Sequence, residues 1–532
     1  MQRHHQIQQL SNEQTHWDVL VIGGGATGLG IAVDAATRGY KTILLEQADF
    51  AKGTSSRSTK LIHGGVRYLA LGHLKLVLEA LRERWLLLQN APHLVKVQSF
   101  VVPVYTWREA LLYFSGLKIY DLMAGKRSLG KSAFISKTET LKALPTIKAE
   151  GLKGGIRYYD CQFDDSRLAV NLAQTAAENG ACVLNYVQVT ALQQNEHGKV
   201  YGVEATDLET GLKYTPKAKV VINATGVYVD VILKMEQPEA RPLVRPSQGV
   251  HLVLDRTFLP GNVALMIPKT PDGRVLFAVP WQGKLLVGTT DTLRTTPELD
   301  PVALSREVEF ILETAGGYLT RKPTTADVLS VFAGLRPLAA HLGNPKESKD
   351  IARNFKVILS DSNLTTVTGG KWTIYREMAE STLNKLIEAR LLPPKPCRTA
   401  NLPIHGYTLQ QSNNTHLQPY GADATAIEQL LTDNPALTQK LHPTYSYTLA
   451  EVVWAARHEM ARNVEDVLAR RMRLLFLDAT AAIEAAPVVA TLLATELHHT
   501  LEWEQEQVKQ FNALAQTYSL MPPIQINQLK QI

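Results

Sequence analysis

Residues 17–28 read WDVLVIGGGATG and residues 41–46 read KTILLE. From Val19 the first run is continuously apolar and ends in glycine, the pattern of a strand covered on both faces in a parallel sheet. Between the two runs, Leu29 to Arg38 carries small residues at helical spacing, so the order is strand, glycine turn, helix, strand. Gly23, Gly24, Gly25, Ala26, Thr27 and Gly28 fit G-x-G-x-x-G at the place where that motif has physical meaning. Its glycines let backbone N–H groups and a helix N-terminus approach a pyrophosphate. Glu46 ends the second strand, where an acid takes ribose hydroxyls and disfavours a 2′-phosphate. A glycine-rich turn without a ligand accounts for neither the strand context nor the acid. The stretch predicts dinucleotide binding, and by itself it does not choose between FAD and NAD.

Working outward, residues 219–223, KVVIN, repeat the buried-strand pattern and run into Ala224, Thr225 and Gly226. Between the two strands, and again from about 240 to 330, runs such as GVHLVLD, VLFAVPW and KLLVGTTD suggest an antiparallel sheet inserted into the nucleotide fold. A last return is expected near 355–390, where FKVILSDSNLTTVTGGKW precedes a closing helix. The segments for nucleotide binding are then about 17–95, 155–235 and 330–392, and those for substrate about 96–154 and 236–329. Residues 1–16 read as a loose polar tail and 393–420, with PPKP and QQSNN, as a linker. Residues 421–532 read as a helical domain. Within it, from Glu451 to Leu477, Val453, Ala456, Met460, Val464, Val467 and Leu468 recur at helical spacing opposite Arg457, Arg462 and Arg470.

A chain of 532 residues exceeds what one core holds, since single cores stop growing near about 250 to 300 residues. Its 45% hydrophobic and 20% charged composition is that of a globular protein, and a net charge of +6 is mild. No Lys/Arg run interleaved with aromatics offers a nucleic-acid groove. Cys161, Cys182 and Cys397 are too scattered for a metal knuckle or a disulfide framework, so no metal and a reducing, cytoplasmic compartment are expected. Ala479 to Leu497 is apolar but alanine-rich and carries Glu484, Pro487 and Glu496; it reads as a helix pair of a soluble domain.

Residues 53–69, GTSSRSTKLIHGGVRYL, have the composition of a working site. Thr54, Ser55 and Ser56 can donate to phosphates, and paired glycines let backbone come close to a flat ring. A solvated loop would not have Leu61, Ile62, Val66 and Leu69 threaded through it. Together with FAGLRPL at 332–338, GTTD at 288–291, GGKWTIYR at 369–376 and EVVWAARHEMARNVEDVLARR at 451–471, this loop resembles the FAD-dependent glycerol-3-phosphate dehydrogenases, in order over about residues 17–500. The resemblance implies an α/β fold with a discontinuous Rossmann-type FAD-binding domain, an inserted, mainly antiparallel substrate domain and an all-α C-terminal domain. It implies noncovalent FAD, sn-glycerol 3-phosphate as substrate, a membrane quinone as acceptor, peripheral attachment to the inner face of the cell membrane, and a homodimer. By position it assigns substrate phosphate and glycerol oxygens to Arg67, Arg336 and Lys371, with Arg353 a looser match. It also places Tyr68, His63 and His251 in the active site, and Gly226, Gly370, Lys371, Trp372 and Thr373 beside the cofactor.

The chemistry asks for the same parts. Guanidinium forks bind a phosphate dianion bidentately. As the C2 hydrogen leaves as hydride, the C2 hydroxyl must lose a proton to a base. Arginine stays charged and serves poorly, so His63 or His251 is the expected base, and Arg336 polarises the nascent carbonyl. Taken alone, a histidine in a strand such as His251 is more often structural.

Two departures from the family pattern stand out. Trp372 and Ile374 occupy positions that many members fill to read G-G-K-L-T-T-Y-R, while Thr373 is retained. The C-terminus has no D-x-D-x-D-G calcium loop, so calcium control is not expected. Rival readings are an oxidase of the same family that reduces oxygen, an amine or amino-acid oxidase on the same fold, and a non-catalytic flavin module. For the membrane, two basic and apolar segments offer themselves: Arg108 to Arg127, with Leu111, Leu112, Phe114, Leu117, Met123, Lys118 and Lys126, and Arg470-Arg471-Met472-Arg473 before Leu474 to Leu477.

Overall fold

The strand His16–Ile22 lies between two parallel neighbours, Lys217–Asn223 and Thr42–Leu45, which is why its apolar run never alternates. The structure, a computed structural model, describes residues 1–70, 72–339, 355–410, 412 and 414–520, with the side chains of Arg67 and Ala70 outside the description. Leu364–Thr368 joins beyond Lys217–Asn223, and Cys182–Leu184 beyond Thr42–Leu45, both parallel. The helices Ala26–Thr37, Asp165–Glu178 and Tyr375–Glu388 share one core with one face of this sheet. Gly30 makes one of these contacts possible, because a Cβ there would stand 2.8 Å from the Tyr375 ring. The opposite face packs against strands of the antiparallel extension, Val187–Gln194 and Val200–Asp207.

Residues 1–16 are no loose tail. Arg3–Ser11 is a helix whose Leu10 is buried in that second core and whose Arg3 pairs with Asp207 at 2.7 Å. The helix is polar because most of it faces water, which is what made it read as unstructured. Residues 393–420 are likewise anchored: Tyr40 donates to the Pro393 carbonyl at 2.5 Å, Arg38 to that of Lys395 at 3.0 Å and Asn90 to that of Ala400 at 3.1 Å.

Among the described residues the second sheet has ten strands, mainly antiparallel. It takes in Gly154–Gln162, Val328–Ala339 and the short Leu61–Ile62, so both boundaries expected at 155 and 330 shift by a strand. The pairing of Val328–Ala339 with Val244–Asp255 matters most. Its register sets Ser247 opposite Arg336, Gly249 opposite Gly334 and His251 opposite Phe332. Side chains alternate along a strand, so these six positions share one face. Glycine at 249 leaves the room in which the Arg336 guanidinium lies, and a Cβ on Gly334 would stand 2.7 Å from the Arg57 side chain.

The C-terminal domain is helical, with Leu449–His458, Ala479–Leu497 and Leu501–Gln516 as its main members. Ala479–Leu497 is one helix with Pro487 inside, not a pair. By length and composition it could cross a membrane, yet Ala482, Ala485, Ala486, Val489, Ala490 and Leu493 are sealed in this domain's core. Nor is Glu451–Leu477 one amphipathic helix. The backbone turns left-handed at Met460 and again at Arg473. Arg470, Arg471 and Arg473 are fully buried, paired with Asp49 and Asp165 of the nucleotide fold and with Asp466 nearby. The basic run is thus a seam between domains and not a membrane contact. Local periodicity could not show this, because its partners lie some 300 to 420 residues away.

Candidate active site

A cavity of about 400 Å3 runs from the glycine turn to the paired strands of the second sheet. At the turn end it is walled by Gly23, Gly25, Ala26, Thr27 and Glu46, with Val187 and Val189 as apolar neighbours. Gly23 has φ +110°, and a Cβ there would stand 2.8 Å from the Ala224 carbonyl, so only glycine fits. The helix Ala26–Thr37 receives no side-chain cap from Gly25, and its first residues form cavity wall. Ser55 accepts from Ala26 N at 2.9 Å and orders the loop against it. Glu46 accepts from Gly24 N at 2.6 Å and Ala48 N at 2.8 Å, and burial raises its pKa even so. Each carboxylate oxygen keeps a lone pair for a hydroxyl donor.

Three expected cofactor contacts lie behind this wall. Gly24 holds Glu46, Gly28 packs its helix onto the Gly23 carbonyl, and Ser56 is buried with its carbonyl taken by Lys60 and Arg473. They shape the cradle without lining it. Thr54, whose hydroxyl donates to the Leu335 carbonyl at 2.5 Å, ties the loop to the second sheet. Gly226, Gly370, Lys371, Trp372 and Thr373 do line the cavity, and the Trp372 indole N–H donates to the Ser55 carbonyl at 2.8 Å.

His63, Tyr68, His251, Arg336 and Lys371 all line this cavity. Arg336 donates to the Thr289 hydroxyl at 3.0 Å and the Thr290 carbonyl at 3.1 Å, and stands 3.5 Å from Asp291. The Lys371 ammonium lies 3.6 Å from the centroid of the Tyr68 ring, a cation–π contact between two residues of the cavity lining. The Arg67 side chain and Arg353 lie outside the described residues.

Residues 18–376 match the family described as FAD dependent oxidoreductase, and residues 367–508 match the C-terminal domain of alpha-glycerophosphate oxidase. A probable mitochondrial glycerol-3-phosphate dehydrogenase of Caenorhabditis elegans is 42% identical over 512 residues, covering 90% of this chain and 70% of the relative. The chain belongs to the FAD-dependent glycerol-3-phosphate dehydrogenase family. The mitochondrial enzyme of Homo sapiens is 39% identical over 531 residues, covering 93% of this chain and 72% of the relative. A glycerol-3-phosphate dehydrogenase from Bacillus halodurans, solved with FAD, superimposes with a TM-score of 0.79 at 28% identity, covering 98% of this chain and 99% of that one.

FAD is therefore the dinucleotide, and the residues fit it. The glycine turn and helix N-terminus suit a pyrophosphate, Glu46 a ribose, and Gly369 to Thr373 the ring end. Sequence reasoning missed Thr59 and Asp165. Thr59 lines the cavity with its hydroxyl 2.9 Å from His251 Nε2. Asp165 is buried and accepts from Ser58 N, the Ser58 hydroxyl and Lys60. Thr59 lies in the loop 53–69, but nothing local marks its hydroxyl from its neighbours'.

Proposed function

We propose that this chain oxidises sn-glycerol 3-phosphate to dihydroxyacetone phosphate and passes the electrons to a membrane quinone. The observation that carries the reading is that Arg336, Lys371 and two histidines line one cavity with the dinucleotide turn. The two cations hold the phosphate and glycerol oxygens, and Arg336 also stabilises negative charge on the C2 oxygen as the carbonyl forms. A histidine of the pair receives the hydroxyl proton. Bound FAD supplies the hydride acceptor. Burial first, then the charges of Lys60 and Arg336, hold the His251 pKa well below the ordinary imidazole range, so this ring is neutral at rest. Anaerobic addition of glycerol 3-phosphate should bleach the flavin spectrum, and a quinone analogue should restore it faster than oxygen does. Peroxide formed as fast as substrate is consumed would favour the oxidase reading instead.

A quinone acceptor requires contact with lipid, and the helix Trp107–Ala124 supplies a surface for it. Trp107, Leu111 and Leu122 are 64%, 71% and 81% exposed, with Leu112 and Ile119 exposed beside them. Leu117 faces inward and the Lys118 ammonium donates to the Ser132 carbonyl, so the outward face differs from the one periodicity suggested. Lys126 and Arg127 follow, exposed. Apolar area beside cations is the make-up of an interfacial helix. Each cation at an anionic surface contributes about 1 kcal/mol, so glutamate at 108, 126 and 127 should weaken liposome binding more than ~100-fold. Wild-type protein left in the supernatant with anionic vesicles at low salt would refute membrane attachment.

A further inference from the structure

Two histidines line the cavity, and their surroundings differ. His251 is 2% exposed, stacked on Phe332 with ring centroids 5.1 Å apart and seated against Gly288. Its Nδ1 is buried with no hydrogen-bond partner among the described residues, and its Nε2 meets the Thr59 hydroxyl at 2.9 Å. The ring has one polar outlet, and a hydroxyl stands in it. Thr59 is half-buried and forms cavity wall.

The backbone on either side of that hydroxyl is fixed. Asp165 Oδ2 accepts from Ser58 N at 3.0 Å, the Ser58 hydroxyl at 2.6 Å and the Lys60 ammonium at 2.7 Å, and Lys60 also donates to the Ser56 carbonyl at 2.7 Å. Arg473 closes the clamp from the C-terminal domain through Ser56 O and Asp165 Oδ1. A group held by its neighbours in this way is pre-organised for proton transfer.

We propose that Thr59 is a catalytic residue: it takes the proton of the substrate's reacting hydroxyl while passing its own to His251 Nε2. The proposal rests on the reading of the substrate as glycerol 3-phosphate. The substrate O–H bond breaks as a Thr59 O–H bond forms, the original Thr59 O–H bond breaks as Nε2–H forms, and threonine ends unchanged. The C2–H pair leaves as hydride to FAD, so substrate loses two electrons and FAD gains them. The groups facing His251 are Lys60, across the Phe332 ring, whose ammonium burial pushes down to about 7 so that it titrates within the range tested below, and Arg336 on the neighbouring strand. No carboxylate lies within ion-pair distance of it among the described residues. A phosphate dianion entering beside Arg336 offsets that positive field and makes the ring a better acceptor.

The test is anaerobic stopped-flow reduction of the FAD-loaded full chain by glycerol 3-phosphate from pH 6 to 9, with dihydroxyacetone phosphate affinity read from perturbation of the flavin absorbance. Bleaching of wild type checks the substrate reading on its own. Thr59→Val keeps the volume and removes the proton path. It should slow reduction at least ~100-fold, the usual worth of general base catalysis. FAD content and product affinity should stay within about 3-fold, and the residual rate should rise about 10-fold per pH unit as hydroxide replaces the relay. Thr59→Ser should recover to within about 5-fold of wild type. The relay is overturned if Thr59→Val reduces at near wild-type rate with the wild-type pH profile, or if serine fails to rescue it. It is also overturned if only His63→Asn gives the hydroxide-dependent rate.

Discussion

Replacing Asp49 by Asn tests how the helical domain is held to the nucleotide fold. Asp49 is fully buried, and its carboxylate accepts from Arg470 Nε at 2.5 Å, from Arg471 at 2.6 and 2.9 Å, and from Asn185 at 3.2 Å. Arg470 also pairs with Glu465 and Asp466, and Lys52 with Glu465, so the seam is close to neutral as it stands. Asparagine keeps the shape but leaves one positive charge uncompensated and turns an N–H pair toward a guanidinium. Breaking a buried pair from one side costs about 3–5 kcal/mol. Unfolding entropy of about 2.1 cal/mol/K per residue gives ~1.1 kcal/mol/K for a chain that melts as one unit, hence a Tm drop of roughly 3–5 °C. A helical domain of about 100 residues that comes away alone would fall by more than about 10 °C. Differential scanning calorimetry of the FAD-loaded protein at pH 7 distinguishes the two. The drop should persist in 0.5 M salt, whereas Glu496→Gln, which breaks the exposed pair with Arg457, should move Tm by less than about 1 °C. Burial pushes the Asp49 carboxyl up, but Arg471 and Arg470 together hold it below its ordinary value. Its contribution is therefore present above about pH 4 and fades as pH falls, and the gap between wild type and variant should close in acid. A Tm within 1 °C of wild type at pH 7 would refute the reasoning.

Arg336→Ala and Lys371→Ala should each lower kcat/KM at least ~10-fold while retaining FAD, since a charged hydrogen bond is worth about 1.5–3 kcal/mol; wild-type-like kinetics in both would remove the phosphate assignment. Acid precipitation should release the flavin into the supernatant, and flavin in the pellet would mean covalent attachment. His405 bridges Asp423 at 2.8 Å and Glu178 at 2.5 Å, and although burial alone lowers its pKa, the two carboxylates carry it to about 9. A raised pKa stabilises below the unfolded value, so His405→Gln should melt earlier than wild type below about pH 6.5, with the difference vanishing as pH rises through about 9; a pH-independent gap would contradict the ion-pair account.

The nucleotide fold was legible because its evidence is local. An uninterrupted apolar run before glycines can be satisfied only by burial on both faces, and the strand His16–Ile22 has parallel neighbours on both sides. The antiparallel runs read equally well. What failed were inferences about which side of an element meets water. Arg470, Arg471 and Arg473 looked like a solvated basic cluster, and the carboxylates that bury them, Asp49 and Asp165, carry no signal of their own in the sequence. The polar helix Arg3–Ser11 was missed for the opposite reason, since a few buried contacts, Leu10 and the Arg3 ion pair among them, hold it in place.

The site was legible to the level of residue type and no further. His63, Tyr68, His251, Arg336 and Lys371 do line one cavity, and the register that aligns Ser247 with Arg336 and His251 with Phe332 puts His251 and Arg336 on the same face of their sheet. Sequence alone left His63 and His251 as candidates for the base, with His251 in the weaker context because a lone histidine in a strand is more often structural. Three-dimensional surroundings distinguish them: the His251 ring has a buried Nδ1 with no hydrogen-bond partner among the described residues, and its Nε2 meets the Thr59 hydroxyl at 2.9 Å. The same geometry explains why the loop at 53–60 is so polar and yet so buried. Its hydroxyls and cations are spent on Asp165, Asp300 and backbone carbonyls, and that internal satisfaction leaves Thr59 as the cavity-lining hydroxyl that meets His251.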